Sequence, residues 1–247
     1  MSITNRTLLI DGDILVFQAC ASLEHPTKYD EDTWILWASE TETKDRCDDS
    51  VKTLRDKALA SDVILTFSDP LNFRKTLEPT YKANRAKTRK PMLLPLMRDY
   101  LKTKYRSMQY RFLEADDVIG ILATNDGLFD DVVIWSPDKD LRQIPGQHLV
   151  DDEVIKITPE QGFRTFLMQT LTGDQTDNYP GCPGIGPKRA AAMLDDDCSW
   201  DTVVAAFQKA GLTGGDALLQ AQLARILQHG EYETNSGVVH FWRPDGN

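Results

Sequence analysis

Short apolar runs alternate with stretches of helical periodicity along the first half of the chain. The runs are rich in β-branched residues, which is typical of strands, and lie at Thr7 to Ile10, Val63 to Phe67, Tyr110 to Leu113 and Val132 to Trp135. Helical spacing of apolar residues predicts helices at Cys47 to Ala60, Leu93 to Tyr105, Ala115 to Asn125, Pro159 to Leu171, Pro187 to Leu194, Trp200 to Ala210 and Asp216 to Gln228. This alternation predicts an α/β fold with a mostly parallel central sheet flanked by helices.

The pattern changes after residue 158, where the chain reads almost wholly helical until Val238 to Trp242. We therefore expect an α/β core over residues 1–158 and a helical subdomain over residues 159–247 that returns to the core at its end. No internal repeat or long disordered linker interrupts the sequence. The acidic segment from Asp30 to Asp49, with Trp34 and Trp37, is assigned only as part of a crossover.

The bulk composition fits one catalytic unit. A chain of 247 residues with 41% apolar content can bury one substantial core and carry a small helical subdomain beside it. No apolar run approaches a membrane span, and the start MSITNRTLLI lacks the features of a signal peptide, so we expect a cytoplasmic protein with no membrane partner. The four cysteines are scattered without a CxxC pair, which argues against zinc knuckles and disulfides.

Charge is distributed very unevenly along the chain. The net charge is -10, yet residues 72–111 hold twelve Lys and Arg against two acids. The rest of the chain holds 16 basic and 36 acidic residues. One segment is therefore expected to meet a polyanion, and the remaining carboxylates need a separate explanation.

Each predicted strand is followed within three residues by an acid. These acids are Asp11, Asp69, Glu114 and Asp138, and further acids crowd the same points at Asp13, Asp116, Asp117 and Asp140. The ends of parallel strands share one edge of a sheet, where such folds place their ligands. Many like charges at one edge need cations, and oxygen ligands without nearby His or Cys favour Mg²⁺ or Mn²⁺ over zinc.

An ordinary structural explanation competes with the metal site. Acids after strands are also helix N-caps and turn residues, and this alternative is about as good for any single pair such as Asp138 and Asp140. It is much weaker for all four strand ends together. The acidic runs Asp151 to Glu153 and Asp195 to Asp197 are expected to be solvated surface.

A second group of functional residues lies in TGDQTDNYPGCPGIGPKRAAAML. Asp174 and Asp177 are three residues apart and can face the same way. Gly184 to Pro187 predicts a tight turn that leads into a helix with proline at its first position. Backbone amides at such a turn can hold a phosphate, with Lys188 and Arg189 adding charge, although any Gly-Pro turn before a helix looks similar.

The segments LLIDGD, FSDPLNFRKTLEPTYKANR, EADDVIG, SPDKDL and TGDQTDNYPGCPGIGPKRA resemble, in order, the motifs of the flap endonuclease superfamily. The resemblance runs over most of the chain. Within the superfamily the sequence is most similar to the 5′-to-3′ exonucleases of T7-type phages. The implied fold is the PIN or flap-nuclease type, with a C-terminal helix-three-turn-helix at about residues 160–195.

The resemblance also implies roles for individual residues. Two Mg²⁺ ions, for which Mn²⁺ can substitute, are expected on Asp11, Asp69, Glu114, Asp116, Asp138 and Asp140, with Asp117, Asp174 and Asp177 completing the cluster. Many members have a neutral residue where this chain has Asp13. The turn at Gly184 and Gly186, with Lys188 and Arg189, is expected to grip duplex phosphates, and a potassium ion at that turn is left open. Tyr81, Lys82 and Arg85 match the start of the helical arch or clamp, here about residues 72–111.

The implied reaction is phosphodiester hydrolysis by two metals roughly 4 Å apart. Asp11, Glu114 and Asp138 would serve it through the metals, while Lys82 and Arg85 would neutralise charge on the scissile phosphate. Tyr81 either stacks on an unpaired terminal base or is a packed aromatic at a helix start. The expected substrate is duplex DNA with a 5′ end, nick or flap, or RNA paired to DNA, in phage-type replication or degradation, with replication proteins as unidentified partners.

Two other readings remain. Strand-Asp11-Gly12-Asp13 also mimics the nucleophile and acid of haloacid-dehalogenase phosphatases, but that reading leaves the basic segment and the GIGPKRA turn without a role. A catalytically silent DNA-binding protein of the same fold would need gaps in the acidic set, and the sequence has none.

Overall fold

The computed structural model describes residues 5–244, so the ends of the two predicted domain ranges, residues 1–4 and 245–247, lie outside it. Its strands are β1 (Arg6–Asp11), β2 (His25–Lys28), β3 (Trp34–Trp37), β4 (Asp62–Thr66), β5 (Ser107–Met108), β6 (Asp131–Trp135), β7 (Gly146–Val150), β8 (Glu153–Ile157), β9 (Tyr232–Glu233) and β10 (Val238–Val239). Its helices are α1 (Gly12–Leu23), α2 (Glu40–Ala58), α3 (Arg74–Leu77), α4 (Leu94–Lys104), α5 (Ala115–Ala123), α6 (Pro159–Thr172), α7 (Pro187–Asp196), α8 (Trp200–Lys209) and α9 (Gly214–Ala224).

Six strands form the central sheet in the order β5-β4-β1-β6-β7-β8. β1 lies between β4 and β6 and is parallel to both, and only the edge strand β8 runs antiparallel to its neighbour. Leu8, Leu9 and Ile10 are fully buried, as expected for a central strand that is covered on both faces. The predicted α/β fold with a mostly parallel sheet is confirmed, and the carboxyl ends of β1, β4 and β6 lie at one edge.

The predicted strand at Tyr110 to Leu113 is wrong. The strand that pairs with β4 is the shorter β5, two residues earlier in the chain. Phe112 has φ +66°, which no strand residue adopts, and the Leu113 amide donates to the Tyr110 carbonyl across a turn. The Leu113 side chain is fully buried in the core, which explains the apolar run without a strand.

Three antiparallel pairs were not predicted: β2 with β3, β7 with β8, and β9 with β10. β2 has the sequence HPTK and is exposed along its length, so it shows no apolar alternation. The hairpin of β2 and β3 occupies part of the segment that was assigned only as a crossover. Helix α2 follows it and begins at Glu40, seven residues before the predicted start, where the Ser39 side chain caps the first turn.

The helices after residue 158 share a core of their own. Phe166, Leu171, Val203, Phe207 and Ala221 are fully buried there, on helices α6, α8 and α9. The chain then returns to the sheet, because Ile226, Leu227 and Tyr232 belong to the same buried cluster as Ile119 and Leu122 of α5. The division into domains at this point stays a prediction. No helix within residues 5–244 is both long and apolar enough to cross a membrane.

The predicted basic arch of residues 72–111 is only partly separate from the core. Helix α4 lies within it, and Met97 and Leu101 of α4 are fully buried in the main core. Seven of its twelve cations pair with acids: Arg74 with Asp117, Lys82 with Glu114, Arg85 with Asp177, Arg89 with Glu24, Arg98 with Asp13, Lys104 with Asp48 and Arg106 with Asp62. The expectation that this whole segment meets a polyanion is wrong for Arg74, which is buried.

Candidate nuclease site

A cavity of about 910 Å³ opens at the carboxyl edge of the central sheet. Nine acids line it: Asp11, Asp13, Asp69, Glu114, Asp116, Asp138, Asp140, Asp174 and Asp177. Eight of the nine predicted metal ligands are in this set. Strand ends and the first turn of α5 supply the acids on one side, and the loop after α6 supplies Asp174 and Asp177 on the other.

Asp11 ends the central strand and is buried at the base of the cavity. It caps α1 by accepting from the Ile14 amide at 3.1 Å, and its second oxygen accepts from the Ser136 hydroxyl at 3.2 Å. Burial, followed by the charges of Asp13 and Asp138, raises the pKa of Asp11 to about 7 despite these hydrogen bonds. The capping explanation and the metal-site explanation therefore both apply to this residue.

The cations of the cavity do not offset the burial of Asp116 and Asp140. Burial and then the neighbouring acids raise the pKa of Asp140 to about 7 and raise that of Asp116 as well. One oxygen of Asp116, Oδ1, is buried and has no hydrogen-bond partner among the described residues. A buried carboxylate oxygen without a donor is costly, and a hard divalent cation is the ligand that its chemistry fits.

The acids surround the cavity but do not converge on one point. Across residues 5–244, no three His, Cys, Asp or Glu side chains form a ready metal-binding group. Mutual repulsion of the carboxylates accounts for part of this separation. Local hydrogen bonds also hold these side chains, because Asp138 accepts from the Asp140 amide at 2.9 Å, Asp174 from the Thr176 amide at 2.6 Å and Asp69 from the Leu71 amide at 2.9 Å.

Lys82 and Arg85 reach the acids from the segment between α3 and α4. The Lys82 ammonium group binds Glu114 and lies 3.4 Å from Asp177, and the Arg85 guanidinium binds Asp177. Burial alone would raise the pKa of Glu114, but Lys82 and then Arg74 outweigh it and lower the pKa to about 2. Lys82 adopts the left-handed conformation with φ +56°, which is unusual for lysine and is common at functional sites.

Tyr81 is a packed aromatic, and the base-stacking alternative does not agree with its position. Its ring is 2% exposed and stacks on Tyr179 with centroids 6.4 Å apart, so a base has no access to its face. Its hydroxyl oxygen lies 2.9 Å from both Glu114 and Asp177. Tyr81 thus links a carboxylate of the sheet edge to one of the loop after α6.

Asp117 does not face the cavity, and its predicted role as a metal ligand is not supported. Both of its oxygens accept from the Arg74 guanidinium at 2.8 Å, and they also accept from the amides of Glu114 and Leu227. The side chain is fully buried. Consecutive helical residues point about 100° apart, so Asp116 faces the cavity while Asp117 faces the interior.

Asp13 and Arg98 form an ion pair at the wall of the cavity. The Asp13 carboxylate lies 3.1 Å from Arg98 Nε and accepts from the Ser68 amide at 2.7 Å. Arg98 also donates to the Ser68 carbonyl. Asp13 therefore holds the turn after β4 and a cation of α4. Sequence alone does not distinguish Arg98 from the other basic residues of the arch. Its position on α4 relative to the cavity identifies it, and that position is visible only in the structure.

The loop that carries Asp174 and Asp177 is closed at its neck by two glycines. Gly173 and Gly181 both have φ +65°, and a Cβ atom on Gly173 would lie 2.4 Å from the Gly181 nitrogen. Asp174 and Tyr179 exchange two backbone hydrogen bonds at 2.9 and 3.0 Å inside the neck. The Asp177 carbonyl accepts from the Lys82 amide at 2.8 Å, which ties this loop to the segment with the cations.

The predicted phosphate turn lies outside the cavity. Gly184 has φ +73°, and Gly186 is the N-cap of α7. Lys188 and Arg189 are exposed in the first turn of that helix. The Arg189 guanidinium donates to the Gly184 carbonyl at 3.4 Å, so it lies against the turn. The turn and these two exposed cations face a ligand at the surface, and their contact with DNA stays a prediction.

Comparisons with known proteins agree with this arrangement. The sequence model of the family described as 5′-3′ exonuclease, N-terminal resolvase-like domain, matches residues 6–169. The exonuclease of Escherichia phage T7 is 31% identical over 96% of this chain and 93% of its own length, and the exodeoxyribonuclease of Enterobacteria phage T3 is 30% identical over 96% and 92%. The crystal structure of the bacteriophage T5 D15 flap endonuclease with DNA and metal ions superposes with a TM-score of 0.64 and 16% identity, covering 89% of this chain and 88% of that one.

Proposed function

Because this chain belongs to the 5′-3′ exonuclease family, we propose that it hydrolyses phosphodiester bonds near the 5′ end of duplex DNA, as an exonuclease and flap endonuclease. The observation that carries the proposal is the buried Oδ1 of Asp116, which has no hydrogen-bond partner within residues 5–244. It lies in a cavity lined by nine acids and seven basic residues, among them Lys82 and Arg85. Relatives described as exodeoxyribonuclease and flap endonuclease support the same reaction and the same substrate.

The residues fit a divalent metal site, and Mg²⁺ is the ion we propose, with Mn²⁺ as a substitute. Asp11, Glu114, Asp116, Asp138 and Asp140 would hold it at the sheet edge, while Asp69, Asp174 and Asp177 would contribute from the rim. When bound, two such ions activate a water molecule and stabilise charge on the leaving oxygen. The raised pKa values of Asp11, Asp116 and Asp140 support this fit, since burial and the neighbouring acids outweigh the favourable contacts of these carboxylates.

Lys82 and Arg85 would hold the scissile phosphate. Both cations already lie in the cavity and pair with Glu114 and Asp177. A bound phosphate would compete with these carboxylates for the two cations. Fixed cations in a water-poor site then stabilise the charge that builds on the phosphate during hydrolysis.

The turn at Gly184 and Gly186, with Lys188 and Arg189, would bind backbone phosphates of the duplex some distance from the cut. A potassium ion at this turn and an RNA strand paired to DNA as a second substrate belong to the same proposal. Contacts of this type position the substrate without reading its sequence.

The proposal is tested on one duplex with a recessed, nicked or flapped 5′ strand, labelled at either end. We expect cleavage with Mg²⁺ and none with EDTA, and short labelled products from the 5′-labelled strand from the start of the reaction. Asp116→Asn should bind the duplex and cut it at least a hundredfold more slowly, the scale for loss of one electrostatic group at a reacting centre. Binding without cutting by the wild-type protein in Mg²⁺ would instead identify a silent DNA-binding protein.

A further inference from the structure

Arg74 contacts Glu114 at the buried wall of the cavity. Its side chain is 3% exposed, and all five of its N–H groups have acceptors. Nη1 donates to Asp117 at 2.8 Å and to Glu114 at 3.3 Å, while Nε donates to the Leu223 carbonyl at 2.9 Å. Nη2 donates to the second Asp117 oxygen and to the Arg225 carbonyl.

These hydrogen bonds form a joint that connects three parts of the molecule. Arg74 belongs to α3, Asp117 to the first turn of α5, and the carbonyls of Leu223 and Arg225 to the end of α9. Asp117 completes the joint by accepting from the Glu114 amide and the Leu227 amide, both at 3.1 Å. The backbone of Glu114 is therefore held by Asp117, and its side chain by Arg74.

Only arginine suits this position. Carbonyls in the last turn of a helix lack partners within the helix, and a cation there interacts favourably with the helix dipole. A planar guanidinium can bind these carbonyls and two carboxylates at once, whereas an ammonium group has three donors and no fixed plane. Lysine would preserve the charge and lose the geometry.

We propose that Arg74 is a positioning residue that holds the Glu114 carboxylate toward the cavity and fastens the end of α9 to the catalytic edge. The inference rests on the proposed function, which it deepens. The other partners of Glu114 are Tyr81 and Lys82, and Lys82 has to leave Glu114 in order to bind a phosphate. Arg74 is buried and has no such second role, so it keeps Glu114 in place throughout the reaction.

The test compares Arg74→Lys with the wild type in single-turnover cleavage at saturating enzyme, in DNA binding, and in a calorimetric titration with Ca²⁺. Loss of a residue that orients a metal ligand typically costs about tenfold to a hundredfold in activity or metal affinity. We expect losses of that size in the cleavage rate and in the Ca²⁺ affinity, with DNA affinity unchanged. Arg6→Lys is the matched control, because Arg6 pairs with Asp131 at 2.7 Å at the opposite end of β1.

A double-mutant cycle separates positioning from folding. If Arg74 acts through Glu114, adding Arg74→Lys to Glu114→Gln should cost less than about threefold in rate, since coupled residues are not additive. The variant Arg74→Met with Asp117→Leu replaces the buried ion pair by apolar side chains, a change that is often neutral for stability. It also leaves the carbonyls of Leu223 and Arg225 and the amides of Glu114 and Leu227 without these partners. It should therefore unfold at a lower urea concentration than the wild type, yet be folded without urea and remain slow in cleavage.

Two results would overturn the inference. In the first, the rate losses of Arg74→Lys and Glu114→Gln multiply in the double mutant. In the second, the folded variant with Arg74→Met and Asp117→Leu cleaves at the wild-type rate. The Ca²⁺ titration keeps the inference distinct from the proposed function. A wild-type protein that does not cut in Mg²⁺ would refute the nuclease, and the positioning role would then be upheld or refuted by whether Arg74→Lys weakens Ca²⁺ binding.

Discussion

The ammonium group of Lys82 is bound to the carboxylate of Glu114 inside the acidic cavity. Lys82, which we propose binds the phosphate, is thus paired with Glu114, which we propose binds a metal ion. The two roles exclude each other for as long as this pair persists. If Glu114 held a metal ion instead, the Lys82 ammonium group would be available to the scissile phosphate.

Lys82→Ala should separate these two steps. We expect a single-turnover rate lower by a hundredfold to a thousandfold, about 2.7 to 4 kcal/mol, because one stabilising cation is lost. Ca²⁺ should bind more tightly, because the competing cation is gone. Lys57→Ala, which removes a surface pair with Asp152, is the control and should change neither quantity. Unchanged single-turnover cleavage by Lys82→Ala would mean that this segment only guides DNA.

Tyr81→Phe tests the link between Glu114 and Asp177. The ring stays packed, so DNA affinity and folding should change little, while the two carboxylates lose their shared hydroxyl. A hydrogen bond to a charged group contributes about 1.5 kcal/mol or more, which corresponds to roughly tenfold in rate. Single-turnover cleavage and duplex binding are the measurements. An unchanged cleavage rate would show that this hydroxyl does not hold the two carboxylates for the reaction.

Lys188→Ala with Arg189→Ala should affect binding alone. Both side chains are exposed at the start of α7 and outside the cavity. We expect weaker affinity for every sequence and a salt dependence flatter by roughly one to two units of slope, because one or two phosphate contacts are lost. The rate at saturating enzyme should stay within about twofold. A large fall in that rate would place the turn nearer the reaction than the structure does.

The stability of the metal-free protein should fall as the pH rises from about 4 through 7. The folded-state pKa values of Asp11 and Asp140 are raised to about 7, so the folded state holds protons that the unfolded state has released. His148 acts in the opposite sense, because burial lowers its pKa. The informative quantity is therefore the difference between wild type and Asp11→Asn in urea unfolding with EDTA at pH 5.5 and pH 8.

Asp11→Asn retains the helix cap and removes the charge, so it should gain stability relative to the wild type at pH 8 and less at pH 5.5. Added Ca²⁺ should abolish that advantage, since the ion stabilises the wild type. An Asp11→Asn advantage that is equal at the two pH values would show that Asp11 does not titrate in this range.

The sequence predicted the acidic cavity because strand ends in a parallel sheet must share an edge. This reasoning accounts for Asp11 and Asp138, which follow β1 and β6. Glu114 and Asp116 reach the same space from a turn and the first turn of α5, because the strand predicted before them does not form. The sequence could not separate Asp116 from Asp117, because the two are adjacent in the sequence and only the helical rotation between them sends one into the cavity. The partner of Asp117, Arg74, was grouped with the phosphate-binding cations because sequence distance hides a buried ion pair.

The strand error at Tyr110 to Leu113 has a related cause. An apolar run predicts burial, and burial is what Leu113 has, but a strand also needs an extended backbone. The positive φ of Phe112 is incompatible with a strand, and a phenylalanine in the sequence does not predict a positive φ. The exposed hairpin of β2 and β3 is the reverse case, since its backbone pairs form without an apolar face.

The glycine neck at Gly173 and Gly181 fixes a distance along the chain. It fixes the loop with Asp174 and Asp177 to the end of α6, and the same short connection leads on to the turn before α7. Under the proposed function, the duplex is gripped at α7 and the bond is cut beside those acids. The number of nucleotides between grip and cut is then set by backbone packed against backbone, in a part of the chain where even one added methyl group does not fit.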